Sequence, residues 1–215
     1  RAGQYKADLQ ADEAALAVLR RAGVGILSEE SGLEGVDRPI FVVVDPLDGS
    51  TNASRGVPWF ATALCALDAE GPRVALVVNQ ASGRRYHAVR GGGAWTQDRR
   101  LVPSHGMVVG EAMLGLNGYP PRHLGWEQFR TLGAAALDLC LVADGVLDGY
   151  VDCADGSHGV WDYCASLLIC HEAGASCVDA FGRDLVVRDP NQRRTPVAAG
   201  TAELLDVLLA ARQTF

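Results

Sequence analysis

Ile40-Phe41-Val42-Val43-Val44-Asp45-Pro46-Leu47-Asp48-Gly49-Ser50-Thr51-Asn52 is the stretch on which the reading turns. Its first five residues form a continuous, β-rich apolar run, short enough for a buried strand. Two acids follow at the strand end, where a packed core has no use for them. Carboxylates of Asp45 and Asp48 aimed into one pocket repel by about 4 kcal/mol at ~4 Å and an effective dielectric of ~20. A cation removes that repulsion, and hard oxygen donors select Mg²⁺, Mn²⁺ or Ca²⁺. Pro46 lacks an amide hydrogen and fixes the turn, so the acids can converge with the Leu47 carbonyl presented beside them. Gly49-Ser50-Thr51 offers main-chain N–H groups at the start of a helical turn, a ready anion site. Acids for a metal next to amides for an anion point to a metal-held phosphate. Read alone, the residues from Asp45 onward also fit a plain turn with a helix cap. A helix-loop-helix Ca²⁺ loop fits poorly, because Leu47 and Gly49 stand where it needs acids or amides.

Upstream, residues 8–22 carry Leu9, Ala14, Leu16, Val18 and Leu19 at helical spacing and end at Gly23. A short strand over residues 24–27 runs into Ser28-Glu29-Glu30-Ser31, a second acidic strand end. Downstream, residues 59–67, 73–79 and 84–89 read as strands joined by turns at Glu70-Gly71-Pro72 and Ser82-Gly83. These hairpins imply an antiparallel sheet, closed by Gly91-Gly92-Gly93. A helix is expected from near Trp126, and residues 132–143 read as a buried helix with Asp138 and Asp144 as surface or capping acids. Residues 149–152 read as a strand, and Trp161-Asp162 opens a helix through Ala173 with Asp162 at the N-cap. Strands at residues 176–179 and 196–199 and a helix over 202–211 complete the chain. Hairpins first and alternating helix and strand later give a layered α/β or α+β body. The expectation is one domain over residues 1–215, an antiparallel-sheet lobe to about residue 115 and an α/β lobe from about residue 116.

Composition narrows the partners. At 215 residues and 48% hydrophobic the chain can bury a sizeable core, and its net charge of −7 argues against nucleic acid. No apolar run approaches the roughly 18 residues that span a bilayer, so no membrane partner is expected. Six cysteines without a Cys-x-x-Cys pair read as buried thiols of a reducing cytoplasm, the expected location. Five histidines form no ligand-spaced pair and read as surface or supporting residues. Arg1 stands where a Met would open a complete chain, so a start inside a longer protein is expected.

Ser28-Glu29-Glu30-Ser31, the Asp45–Asn52 octapeptide and Trp161-Asp162-Tyr163-Cys164-Ala165 occur in the order and roughly the spacing of the inositol monophosphatase family. Ala7-Asp8, Gly91-Gly92-Gly93-Ala94 and Gly133-Ala134-Ala135-Ala136-Leu137-Asp138-Leu139 extend the similarity over nearly the whole chain. The chain thus resembles Mg²⁺-dependent, lithium-sensitive phosphatases, and the resemblance implies an α-β-α-β-α sandwich. It implies that Glu29, Asp45 and the Leu47 carbonyl hold one Mg²⁺, that Asp45, Asp48 and Asp162 hold a second, and that Asp8 approaches a third. Mn²⁺ is a substitute ion, Li⁺ an inhibitor and Ca²⁺ a candidate inhibitor. Catalysis falls to Glu29, Asp48 and Ser50, with Glu29 and Ser50 orienting and deprotonating the attacking water. Amides of Gly49 and Ser50 beside Leu47 hold the phosphate, and Gly133, Ala134 and Asp152 meet the rest of the substrate. Family members are often homodimers, which makes a homodimer the assembly to look for.

The residue types suit that chemistry, since phosphate-monoester hydrolysis rests on positioning and charge neutralisation. Two departures lie at the rim, Asp152 where many members have Glu and a longer stretch over residues 153–160, while Ser50 supplies a hydroxyl where the family more often has Thr. The helix expected before Asp8 is also missing. The expected activity is hydrolysis of a small phosphomonoester, inositol monophosphate first. Fructose bisphosphate, histidinol phosphate and a 3′-phosphonucleotide are the alternatives, and a non-catalytic regulatory member is the alternative class.

Overall fold

Residues 6–215 are described by the computed structural model. In chain order the elements are α1 (Lys6–Ala22), β1 (Gly25–Ser28), β2 (Gly32–Glu34), β3 (Phe41–Asp48), α2 (Ser50–Arg55), β4 (Ala61–Asp68), β5 (Gly71–Asn79), β6 (Arg85–Val89), β7 (Gly93–Thr96) and β8 (Arg99–Arg100). A single 3₁₀ turn (Val109–Glu111) then leads to β9 (Met113–Asn117), β10 (Gln128–Arg130), α3 (Ala135–Ala143), β11 (Gly149–Asp152), α4 (Val160–Ala173), β12 (Ser176–Asp179), β13 (Pro196–Ala199) and α5 (Ala202–Arg212).

The apolar run before Asp45 becomes β3, which lies inside an eight-stranded sheet of order β2-β1-β3-β4-β5-β6-β7-β8. β3 pairs parallel with β1 and antiparallel with β4. A second sheet has five strands in the order β10-β9-β11-β13-β12. α1 covers the outer face of the first sheet, with Leu16 packed on Ile26 and Val44. α3 and α4 fill the space between the sheets, and α5 seals the second sheet through Leu204, Leu205 and Leu208. The layers run helix, sheet, helices, sheet, helix, the five-layer α-β-α-β-α sandwich expected from the resemblance. Helices α3 and α4 are apolar on nearly every side because both flanking layers are sheet.

One irregularity in β3 decides where the site can form. Asp45 pairs with Ala63 but Asp48 pairs with Ala61, so one extra residue sits on the β3 side. In a regular strand, residues three apart point to opposite faces; the bulge at Pro46-Leu47 returns Asp48 to the face of Asp45. Thr62 Oγ1 donates to the Pro46 carbonyl at 2.8 Å and pins the bulge. Gly49 follows at φ +82°, where a Cβ would also meet the Trp59 carbonyl at 3.0 Å and Ala134 Cβ at 3.1 Å. Only glycine fits that corner.

Three local expectations are corrected. The Gly91-Gly92-Gly93 cluster does not end the sheet, because Gly93 opens β7 and β8 adds a further pairing. The residues after Trp126 form the short edge strand β10, parallel to β9, rather than a helix. Asp162 lies at the third position of α4, with Gly159 as N-cap, and its Oδ2 accepts the Gly159 amide at 2.6 Å. Among the described residues no helix is long and apolar enough to cross a membrane. All six cysteines are free thiols, five of them buried.

Candidate active site

Four chain segments end at one place. The β1 end delivers Glu29, the bulged β3 end delivers Asp45 and Asp48, the first turn of α4 delivers Asp162, and α1 brings Asp8 alongside Glu29. One carboxylate oxygen from each of Glu29, Asp45 and Asp162 lies within 4.8 Å of the others. Asp45 Oδ1 accepts the Leu47 amide at 2.9 Å, whereas Asp45 Oδ2 is buried and accepts no hydrogen bond. Such an oxygen is costly in a protein interior unless a cation meets it. An all-oxygen set of this kind fits Mg²⁺, Mn²⁺ or Ca²⁺ and not a thiolate-seeking ion.

Asp48 stands beside this trio with a job the sequence does not reveal. Its Oδ2 accepts the Ala136 amide at 2.8 Å and so caps the first turn of α3 from another element. Asn52 on α2 donates to the carbonyls of Trp59 and Leu132, both at 2.8 Å, and ties the turn after β3 to the turn before α3. Asp12 on α1 accepts the hydroxyls of Ser28, at 2.5 Å, and Ser31, which fixes the turn carrying Glu29. Ser50, half-buried, opens α2 directly after Gly49.

Next to Asp48 opens a cavity of about 90 Å³ lined by Asn117, Gly133, Ala134, Asp138, Tyr150 and His158. Asp152 lies behind its wall, fully buried. Its Oδ1 accepts Asn117 Nδ2 at 2.8 Å and the Ala154 amide at 3.0 Å, and its Oδ2 accepts the Ser157 hydroxyl at 2.9 Å. Asp138, expected at the surface, is buried at the cavity instead and accepts Trp59 Nε1 at 2.7 Å. His158 is buried with Nε2 3.1 Å from the Tyr150 hydroxyl and Nδ1 3.5 Å from Asp162 Oδ2. Asp144, at the far end of α3, is buried under Arg84 and Arg99 and takes no part.

So many buried acids in one region raise one another's proton affinity. Burial, then Asp162 and Glu30, push Glu29 from 4.5 to about 7, against a lowering contact with Asp45. Asp45 is pushed well above its ordinary value by burial and then by Asp48, Glu29 and Asp162. Asp48 is pushed up likewise by burial and then Asp162, opposed by the Ala136 amide. Burial holds Asp138 at about 7 despite the Trp59 N–H. Burial opposes the charged form of His158, yet Asp162, Asp152 and Asp48 outweigh it and raise its pKa. The metal-free site is thus a proton-hungry, cation-seeking cavity.

His158, Asn117, Tyr150, Asp138 and Asp12 are absent from the set of site residues read from the sequence. Each belongs through a tertiary contact; only the placement of His158 in the longer stretch before Trp161 offers a hint.

Known proteins resemble this chain in sequence and fold. The model of the inositol monophosphatase family matches residues 4–214. The fructose-1,6-bisphosphatase/inositol-1-monophosphatase of Archaeoglobus fulgidus is 33% identical over 199 residues, covering 90% of this chain and 77% of its own. The inositol-1-monophosphatase of Mesorhizobium japonicum is 37% identical over 203 residues, covering 84% of this chain and 74% of its own. A hypothetical protein from Pyrococcus horikoshii, with similarities for inositol-1 monophosphatase, superposes with a TM-score of 0.89 at 27% identity, covering 98% of this chain and 86% of that one. With the acid-bearing strand ends, the five layers and the family match in agreement, this chain belongs to the inositol monophosphatase family.

Proposed function

We propose that the chain is a Mg²⁺-dependent hydrolase of small phosphomonoesters, with inositol monophosphate as the first substrate to test. The observation that carries this reading is the meeting of Glu29, Asp45 and Asp162 oxygens within 4.8 Å around a buried Asp45 oxygen that accepts no hydrogen bond. Glu29, Asp45, Asp162, Asp48 and the Leu47 carbonyl would hold two ions, with Asp8 near a third. When bound, such ions acidify water and offset charge developing on the leaving oxygen. The protein's own share is positional. Glu29 and Ser50 orient the attacking water and take its proton. Amides of Gly49 and Ser50 hold the phosphate at the turn that only glycine can make. Gly133, Ala134 and the Asn117-Asp152 pair shape the alcohol end. Six free cysteines suit a reducing cytoplasm, and a homodimer is the assembly to look for.

Fructose 1,6-bisphosphate is the second reading, favoured by the Archaeoglobus fulgidus relative, a fructose-1,6-bisphosphatase/inositol-1-monophosphatase. A panel of inositol monophosphate, fructose 1,6-bisphosphate, histidinol phosphate and a 3′-phosphonucleotide, assayed for phosphate release with Mg²⁺, ranks these substrates. Activity should vanish with EDTA, fall on the order of 10²–10³-fold or more in Asp162→Asn, and be inhibited by Li⁺. If no panel member is turned over by protein that binds Mn²⁺, the non-catalytic reading replaces this one.

A further inference from the structure

The chain between β11 and α4 is held from every side. Arg212, 2% exposed at the end of α5, donates from Nε to the Asp152 carbonyl at 2.5 Å and pairs with Asp155. Its guanidinium also stacks on the Phe215 ring at 4.7 Å. The Gly156 amide donates to Thr195 Oγ1 at 3.0 Å, and Asn117 Nδ2 reaches Ser157 Oγ at 3.0 Å. His158 and Arg194 exchange main-chain hydrogen bonds, the Arg194 amide donating at 2.9 Å and the His158 amide at 3.3 Å. A stretch anchored so densely holds one conformation, and what it delivers is the His158 ring.

That ring stands between two acids on different elements. Nδ1 faces Asp162 Oδ2 at 3.5 Å, while Nε2 faces the Tyr150 hydroxyl at 3.1 Å and Asp152 Oδ2 at 3.7 Å. Asp152 is immobile, because Asn117, Ser157 and the Ala154 amide saturate it. Asp162 is held more lightly: its Oδ2 accepts the Gly159 amide at 2.6 Å and faces the imidazole. We propose that His158 is a positioning residue that braces Asp162 against the fixed Asp152–Tyr150 wall, and so sets how tightly the carboxylate cluster binds a divalent cation. The inference rests on the metal-site reading of Glu29, Asp45 and Asp162. His158 touches no substrate in this role; it acts through Asp162. Groups that orient metal-binding side chains typically change affinity or activity by about 10–100-fold when removed.

The test measures binding of Mn²⁺ alone to the whole protein, by electron paramagnetic resonance of the free ion, for wild type and for His158→Ala, His158→Asn and His158→Gln. An Asn amide nitrogen sits near the Nδ1 position and a Gln amide nitrogen near the Nε2 position, so the pair separates the two ends of the ring. His158→Ala should weaken Mn²⁺ binding about 10–100-fold, His158→Asn should recover most of the loss, and His158→Gln should not. With Mg²⁺, the variants should need more cation for half-maximal rate, with Asn again closer to wild type than Gln. Unchanged Mn²⁺ binding in His158→Ala overturns the proposal. Recovery by Gln rather than Asn overturns it as well, because the Asp152 end would then be the one that matters, and this contrast holds even if the Ala variant folds poorly. A wild-type protein that takes up no Mn²⁺ overturns the metal-site reading itself, a separate failure.

Discussion

At the residue scale the site is defined by acids whose protons are hard to remove. A carboxylate whose pKa rises on folding holds its proton more tightly in the folded chain. It therefore stabilises the fold below its unfolded pKa and loses that contribution as pH rises through the folded value. For Glu29 the window runs from 4.5 to about 7, and for Asp138 from 3.8 to about 7. EDTA-treated protein should accordingly melt at lower temperature as pH rises from 5 to 8, and Mg²⁺ should reverse much of that loss at pH 8. A chain of this size shifts its Tm by roughly 2–4 °C per kcal/mol, so calorimetry resolves the effect; a metal-free Tm that climbs over this range contradicts it. Asp45 and Asp48 stood out in the sequence as two acids at the end of a buried strand. Glu29 and Asp162, which read alone as a solvated acid and a helix cap, entered the site only through the family resemblance. Asp138 was not legible as a site residue: α3 is buried along its whole length, so no periodicity marks which side faces the cavity. The bond from Trp59 Nε1 that holds Asp138 spans 79 positions of chain.

At the element scale, Asp48 joins two jobs. It stands among the acids around Asp45, and it terminates α3 by accepting the Ala136 amide. Asn can still accept that amide, whereas Ala cannot. Asp48→Asn should therefore abolish Mg²⁺-dependent turnover and leave the metal-free Tm unchanged or higher, because a buried charge beside other carboxylates has gone. Asp48→Ala should lose turnover too and cost about 1 kcal/mol of stability, the usual value of a lost helix cap. Equal Tm values for the two variants would refute the capping role. The strands around Asp48 were readable from alternation and turn residues. β10 was not, since its three residues are all exposed and lie at a sheet edge with little apolar pattern to announce it. The bulge in β3 could not be read from the sequence either, although Pro46 marks its position; it shows only in the pairing with β4.

At the scale of the whole molecule, the order of hairpins followed by alternating helix and strand was enough to give a layered α/β or α+β body, and the resemblance added the five layers. Neither could give the way the far end of the chain reaches the neighbourhood of the candidate site. Arg212 spans that gap, from α5 to the end of β11. Arg212→Met would leave the buried Asp152 carbonyl without its donor, a loss of about 1–3 kcal/mol. Hydrogen exchange should then accelerate at the amides of Ala154, Gly156 and His158, with amides of β4 unaffected; unaltered exchange there would refute the coupling.

Phe215 completes the aromatic seat of that guanidinium. A lesion in that ring, which touches none of the clustered acids, should therefore announce itself first as a loosening of the segment that follows β11, two contacts away.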